Sequence, residues 1–206
     1  MNMDEAILKA FPLVAIPRSG RLPETEQAGM RYLAGSSGLW RELTLPWLRA
    51  ITRVAHCEGV VLPYGDVGAS IDIRCGTIPH GLIRRFLFEA REAAPVEMAA
   101  ALVWTEADGS WRYERRRTRS ASVAHIDYDE IRLQEGEHLV VDMHSHGDMP
   151  AFFSGEDDRD DAGAMRFSVV VGNIGSETPS SQMRLCLAGV FLRASINEHG
   201  TLEVRA

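Results

Sequence analysis

The chain has 206 residues, a formal net charge of −7 and a composition that is 45% hydrophobic and 25% charged. These proportions are typical of a folded globular protein and exclude a fibrous or disordered chain. The excess of acidic residues argues against nucleic-acid and anionic-membrane partners. No apolar run approaches the roughly 20 residues of a membrane-spanning helix. Acidic residues precede the first apolar stretch, unlike a secretory signal, so we predict a cytoplasmic protein.

The three cysteines, Cys57, Cys75 and Cys186, are odd in number, widely spaced and without a C-x-x-C pair. This pattern does not suit a disulfide framework. We therefore predict three reduced, mostly buried thiols, as is usual in cytoplasmic proteins.

The first 66 residues have the pattern of a small β-rich N-terminal extension. Two runs rich in apolar residues, 30–34 and 39–45, flank Gly35-Ser-Ser-Gly38, which predicts a β-hairpin. Pro63-Tyr-Gly-Asp66 is a turn signal, and we place a domain boundary after it. The sequence thus predicts two parts, residues 1–66 and residues 67–206.

The second part begins with a predicted strand at residues 70–75 and a helix from about Pro79 to Ala94. Proline suits the first turn of a helix, and Pro95 ends it. Apolar residues recur on one face at helical spacing, namely Leu82, Ile83, Phe86, Leu87, Ala90 and Ala94. The opposite face is predicted to point into solvent and carries Arg85, Glu89 and Glu92.

The remainder of the chain alternates strands, turns and one short helix. We predict strands at residues 98–104, 138–144, 166–171 and 183–193, a short acidic helix from about Gly155, and a terminal hairpin at residues 197–200 with His199 exposed at its tip. In the strand that ends at His144, the period of two places Val140, Asp142 and His144 on one face. Strands interspersed with helices predict an α/β or α+β sandwich.

The most informative motif is His144-Ser-His146, followed after seven residues by Ser154-Gly-Glu-Asp157. In an extended strand, residues i and i+2 point to the same face, about 6.6–6.8 Å apart along the chain. Two imidazoles so placed can converge on one ion, and the following loop can return a carboxylate. Two histidines and a carboxylate with an open fourth position form a catalytic zinc site. We therefore predict His144, His146 and Asp157 as metal ligands.

Each half of this motif also has a structural interpretation. An H-x-H pair on a strand is often structural or surface-exposed, without a metal. Ser154 and Asp157 also match a helix start, with serine as the N-cap and an acid at the third helical position. The two interpretations of the second half are compatible, because a cap can fix the loop that presents the ligand.

Other families with an H-x-H motif fit less well. Metallo-β-lactamase-like enzymes need HxHxDH, but Met149 follows Asp148 here. Amidohydrolases need a whole barrel after the motif, and the chain after His146 is too short for one. Cupins place a glutamate shortly after H-x-H, and residues 147–153 contain none.

The spacing His144-x-His146, seven residues, Ser154-x-x-Asp157 resembles the signature of the JAMM (MPN+, Mov34/PAD-1) metalloprotease family. The resemblance covers roughly residues 70–206. It implies an α/β fold of MPN type (cytidine-deaminase-like), with a mixed β-sheet flanked by helices. It also implies a Zn²⁺ cofactor and hydrolysis of a peptide or isopeptide bond. By position in the family pattern, Glu97 matches the catalytic glutamate that moves the proton. The resemblance also implies that the Ser154 hydroxyl donates to the developing oxyanion.

Glu97 has competing interpretations. It could be an ordinary glutamate at a strand end. Among its rivals for the base, Glu89 and Glu92 are predicted on the solvent face of the helix, and Glu106 lies past the strand towards a turn. The resemblance therefore favours Glu97.

The sequence departs from the family pattern in three places. Met98-Ala-Ala-Ala stands where a Cys-Gly or similar small pair is usual, and Gly147 and Phe153 stand where proline is common. More narrowly, the N-terminal extension and residues 144–161 resemble the PRTRC system protein A group. That bacterial cassette is named for ParB-related and ThiF-related genes. The resemblance implies a ThiF/E1-like partner and a ubiquitin-like or sulfur-carrier-like protein substrate.

Two further functions stay open. The chain could be a non-catalytic MPN scaffold or an accessory protein of such a mobile-element cassette, although scaffold relatives characteristically lose ligands that this chain keeps. Nucleic-acid binding would rest on a basic run, which more often forms a solvated strand or loop: Arg112, Arg115, Arg116, Arg117 and Arg119.

Overall fold

The computed structural model describes residues 2–25, 27–116, 118–121, 126–128 and 131–205. The chain divides into two compact units, Met1–Arg74 and Cys75–Ala206. None of the helices in these described ranges is long and apolar enough to cross a membrane.

The first unit consists of one helix and one five-stranded sheet. Its elements are α1 (Met3–Ala10), β1 (Leu13–Ala15), β2 (Gly29–Gly35), β3 (Gly38–Leu45), β4 (Leu48–His56) and β5 (Ser70–Ile73). The strands lie in sequence order, with β1 parallel to β2 and the other pairs antiparallel. The predicted β-rich N-terminal region is confirmed.

The predicted hairpin at Gly35–Gly38 is also confirmed, since β2 and β3 pair up to these two glycines. Gly38 has a φ of 143°, and a Cβ there would lie 2.1 Å from the backbone oxygen of Ala55. Glycine is therefore required at this position. The interior beneath the hairpin is apolar and includes Leu33, Trp40 and Ile51.

The division between the units falls later than the sequence suggested. Ser70–Ile73 pairs with β4, from Leu48 opposite Ile73 to Ile51 opposite Ser70. This strand therefore completes the N-terminal sheet instead of opening the second part. The turn at residues 63–66 lies inside the first unit, where the Gly65 N–H donates to the Ile16 carbonyl at 2.8 Å.

The second unit is built on a seven-stranded mixed sheet with two helices. Its elements are α2 (His80–Ala93), β6 (Ala99–Thr105), β7 (Trp111–Arg115), β8 (Thr118–Ala121), β9 (Ile126–Tyr128), β10 (Glu137–Ser145), α3 (Gly155–Asp161), β11 (Met165–Gly172), β12 (Ser180–Leu187), β13 (Val190–Ile196) and β14 (Leu202–Arg205). The strand order is β14-β13-β12-β11-β10-β6-β7, and β8 and β9 form a separate two-stranded sheet. Strand β10 lies inside the sheet, because it pairs in parallel with β11 on one side and antiparallel with β6 on the other. The predicted α/β class with a mixed sheet is confirmed.

Helix α2 follows the predicted span closely and buries Phe86 and Ala90. The prediction that Glu89 faces solvent is wrong. Its side chain is only 17% exposed, because the Tyr113 hydroxyl of β7 donates to it at 3.0 Å. A polar partner on the neighbouring strand thus covers part of the helix's charged face.

Two details of the strands differ from the sequence-based prediction. Residues 183–193 are not one strand but the ends of β12 and β13, which are joined by Ala188 and Gly189 with φ values of 44° and 91°. Positive φ at both central residues is what a two-residue hairpin turn of type I′ requires. In β10, the register shifts between Leu139 and Val141. This bulge interrupts the predicted alternation at Val140, while Asp142 and His144 still line the same pocket.

Candidate metal centre

The carboxyl end of β10 positions the two histidines. His144 lies between Ala99 of β6 and Val170 of β11. The extended path continues past the strand, because the His146 N–H donates to the Val171 carbonyl at 2.8 Å. Both imidazoles therefore leave the same face, and their Nε2 atoms lie 3.1 Å apart.

Helix α3 brings the carboxylate to the histidines. Ser154 is its N-cap and forms a reciprocal capping box with Asp157. The Ser154 N–H and hydroxyl both donate to Asp157 Oδ2, each at 2.7 Å. The other oxygen, Oδ1, lies 3.3 Å from His144 Nε2. The capping and ligand interpretations of the Ser-x-x-Asp motif therefore describe different oxygens of one carboxylate.

The geometry of these three side chains fits a zinc ion. Their ligand atoms all lie within 4.8 Å of one another, and they form the only such group of histidine, cysteine or acidic side chains in the described part of the chain. Bonds of about 2.0–2.1 Å in a tetrahedron separate neighbouring ligand atoms by about 3.3 Å. The separations of 3.1 and 3.3 Å are close to this value. A fourth position would be left for water or substrate.

The protonation states of the histidines suit metal binding. Burial lowers the pKa of His144, against opposing effects of the Asp157 and Asp142 carboxylates. Burial likewise lowers the pKa of His146, and the adjacent His144 lowers it further. Both rings are therefore held in the neutral form, which is the form that offers a lone pair to a metal.

Glu97 lies at the same end of the sheet as the histidines. It immediately precedes Met98, whose N–H donates to Ser145 Oγ at 3.2 Å and whose carbonyl accepts from the Ser145 N–H at 2.9 Å. Because these two bonds pair Met98 with Ser145 in an antiparallel arrangement, Glu97 lies opposite His146. Glu97 is only 5% exposed and does not belong to the three-ligand group.

The rival carboxylates lie elsewhere. Glu89 is paired with Arg85 and Tyr113. Glu92 is exposed on α2, and Glu106 lies past the opposite end of β6, 3.6 Å from His138. Of the four glutamates considered, the structure brings only Glu97 to the end of β6 that faces the histidines.

Ser154 has a role that sequence reasoning captured only in part. Its single hydroxyl proton is donated to Asp157 Oδ2, and its Oγ accepts the Asp157 N–H at 3.2 Å. In this geometry the hydroxyl orients the carboxylate of Asp157, a candidate ligand. Donation to an oxyanion, as the family resemblance implies, would require the hydroxyl to rotate away from Asp157.

A network of ion pairs underlies the site and was not predicted. It alternates arginine and aspartate: Arg116–Asp142 at 2.8 Å, Asp142–Arg166 at 3.2 Å, Arg166–Asp161 at 3.1 Å and Asp161–Arg184 at 2.8 Å. Its members come from distant parts of the chain, so no local pattern indicates it.

Two arginines of the basic run at residues 112–119 form ion pairs. Arg116 is buried against Asp142, and Arg112 binds Glu137 at 2.8 Å. The prediction of a solvated run is therefore wrong for Arg116. Arg117 and the side chain of Arg119 lie outside the described residues.

A second unpredicted neighbour is aromatic. The Phe152 ring meets the His146 ring edge-on, with centroids 4.7 Å apart. Phe152 nevertheless remains 43% exposed. It therefore forms an accessible apolar wall beside one candidate ligand.

Each of the two units matches a known family model. Residues 79–186, more than half of the chain, match the family described as prokaryotic homologs of the JAB domain. The chain therefore belongs to this JAB-domain family. Residues 1–74 match a separate domain of unknown function, DUF2016, whose limits coincide with the first compact unit.

Other comparisons add little. No curated protein matches the chain. Among solved structures, the solution structure of protein DSY2949 from Desulfitobacterium hafniense is similar, with 16% identity and a TM-score of 0.37 over 61% of this chain and 86% of that one. At that TM-score the likeness supports no argument about function.

Proposed function

We propose that the chain is a zinc-dependent peptidase or isopeptidase of JAMM type. The observation that carries this proposal is the convergence of three ligand atoms, from His144, His146 and Asp157, at separations suited to one tetrahedral ion. Membership of the JAB-domain family also supports it.

The side chains around the site would divide the work of amide hydrolysis. His144, His146 and Asp157 would hold Zn²⁺, which when bound polarises a carbonyl and lowers the pKa of water to about 7. Glu97, buried at the end of β6, would accept the proton from the attacking water and pass it to the leaving amine. Its position outside the ligand group suits a base better than a ligand.

The substrate would be a peptide or isopeptide bond that follows an extended C-terminal tail. We infer a ubiquitin-like or sulfur-carrier-like protein as the bearer of that tail and a ThiF/E1-like enzyme as a partner. Both inferences rest on the resemblance to the PRTRC system protein A group. Phe152 offers an exposed apolar surface beside His146 that a tail could contact.

A second candidate is a non-catalytic scaffold or an accessory protein of the same kind of cassette. A scaffold has no need to preserve a ligand set, so the intact and converging triad favours the enzyme. The Ser154 hydroxyl also donates to Asp157 Oδ2, a bond that the capping box alone does not require.

The two functions are separated by metal analysis combined with a cleavage assay. The purified full chain would be stripped of metal, reloaded with Zn²⁺ and incubated with a ubiquitin-like protein that carries a C-terminal extension. An enzyme would bind one zinc per chain and would cleave only in the loaded form. A chain that binds zinc without cleaving would support the scaffold, and a chain that binds none would refute the metal site.

A further inference from the structure

Helix α3 presents Asp157 but is too short to hold itself in place. It has seven residues, and isolated helices shorter than about 12–15 residues are marginal in water. Its capping box orients the carboxylate relative to the helix, not relative to the histidines. Something must therefore fix the helix against the sheet that carries His144.

Arg184 of β12 makes this connection. Its guanidinium donates to Asp161 Oδ2 through Nε at 3.0 Å and through Nη2 at 2.8 Å. Nη1 donates to Asp158 Oδ1 at 2.5 Å. Asp158 and Asp161 are three residues apart and therefore share a helix face. One guanidinium thus binds two carboxylates that flank the same turn of α3.

The same guanidinium also holds the residue before the cap. Arg184 Cζ lies 3.8 Å from the ring centroid of Phe153 and 4.1 Å from that of Phe191. A planar guanidinium can stack on rings while its edge donates hydrogen bonds, which an ammonium group cannot reproduce. With a side chain that is 9% exposed, Arg184 fixes both ends of the segment 153–161.

We propose that Arg184 is a positioning residue for the metal site, which sets the place of Asp157 by clamping α3 to β12. This inference deepens the proposed function, because it rests on Asp157 being a zinc ligand. It assigns Arg184 no contact with the metal or the substrate. Loss of the clamp should leave the two histidines in place and release only the carboxylate.

The test is a double-mutant cycle on zinc affinity with the full chain. Arg184→Gln would be compared with the parent in two backgrounds, with Asp157 intact and with Asp157→Asn. Zinc affinity would be measured by competition with a chromophoric chelator. We expect a loss of about 10–100-fold in the first background, as is typical for residues that orient ligands, and less than twofold in the second.

A matched control comes from the first unit. Arg31 is also 9% exposed at its side chain and pairs with a buried carboxylate, Glu42. Arg31→Gln should leave zinc affinity unchanged in both backgrounds. If Arg184→Gln does not fold, Arg184→Lys replaces it in the test. Lysine keeps the positive charge but loses the planar guanidinium that binds two carboxylates and stacks on the rings. It should still lower affinity only when Asp157 is present.

Cobalt provides a readout that does not depend on activity. Four-coordinate Co²⁺ absorbs visible light much more strongly than six-coordinate Co²⁺, so release of Asp157 should weaken the spectrum of the Arg184 variants. Equal losses of affinity in both backgrounds, or no loss in either, would overturn the inference while leaving the zinc site intact. A wild-type chain that binds zinc but cleaves nothing would refute the peptidase and leave this inference standing.

Discussion

The Nε2 atoms of His144 and His146 lie 3.1 Å apart, and Ser145 alone separates the two residues in the chain. Two neutral imidazoles at this distance can share one N–H···N hydrogen bond, which uses the lone pair of only one Nε2. A shared ion would satisfy both lone pairs. This relationship ties the end of β10 to the metal chemistry that we propose.

Replacing His144 should remove the zinc site without unfolding the protein. His144→Ala deletes a ligand from the centre of the group, so we expect zinc affinity to fall more than the 10–100-fold typical of residues that only support ligands. Zinc content after dialysis, measured by atomic emission, checks this. His199→Ala is the control, because that side chain is 78% exposed at the terminal hairpin. Equal zinc content in the two variants would contradict the assignment.

Ser154 should influence both stability and metal binding. Ser154→Ala removes the N-cap of α3, which typically costs about 1 kcal/mol, and removes the hydroxyl that donates to Asp157 Oδ2. We expect a lower midpoint in urea and zinc affinity weakened by about tenfold. Ser154→Thr keeps the hydroxyl and should retain most of both. If Ser154→Ala lowered turnover with zinc affinity unchanged, the hydroxyl would act on the substrate instead.

Gly147, directly after the histidine pair, should resist substitution. Its φ is 54°, and a Cβ would lie 2.9 Å from the Pro95 carbonyl oxygen. Gly147→Ala should therefore destabilise the chain by more than about 1 kcal/mol and weaken zinc binding by shifting His146. Gly163→Ala is the matched control, because nothing lies within 4 Å of its Cβ position. Urea unfolding of both variants would be compared. Equal midpoints would show that the turn tolerates a side chain.

The thiols should differ sharply in reactivity. Burial raises the pKa of Cys75 to about 12 and that of Cys186 to about 11. Both therefore remain protonated and unreactive at pH 8, whereas Cys57 is partly accessible. A disulfide-exchange reagent should titrate one thiol per native chain and three after denaturation. More than one fast thiol in the native protein would contradict the packing of the second unit.

Local patterns in the sequence predicted much of the fold and the three side chains that converge at the candidate site. Helical spacing of apolar residues indicated α2, and the H-x-H spacing indicated ligands on one strand face. The tight turn at Ala188–Gly189 was not predicted, because alanine rarely adopts a positive φ. The bulge near Val140 has no local signature. Arg184 could not be foreseen either, because it binds Asp161 across 23 positions of the chain.

The assignment of β5 shows a further limit of local reasoning. Its residues, Ser70–Ile73, read as a strand from sequence, but nothing in them states which sheet they join. The choice depends on the free edge of β4, with which they pair. Which sheet a strand joins is a tertiary property. Because β5 joins the N-terminal sheet, the boundary between the two units follows Arg74 instead of residue 66.

Glu97→Gln offers the most direct test of the central claim. The variant keeps the size of the side chain but cannot accept a proton, so it should fold and bind zinc as the wild type does. Products would be followed by mass spectrometry after incubation with a ubiquitin-like protein that carries a C-terminal extension, at matched zinc occupancy, with the exposed Glu92→Gln as control. We predict tail cleavage by the wild type and the control, and a loss of about 10²–10⁴-fold in Glu97→Gln. Equal turnover in Glu97→Gln and the wild type, or no cleavage by the zinc-loaded wild type, would contradict the account.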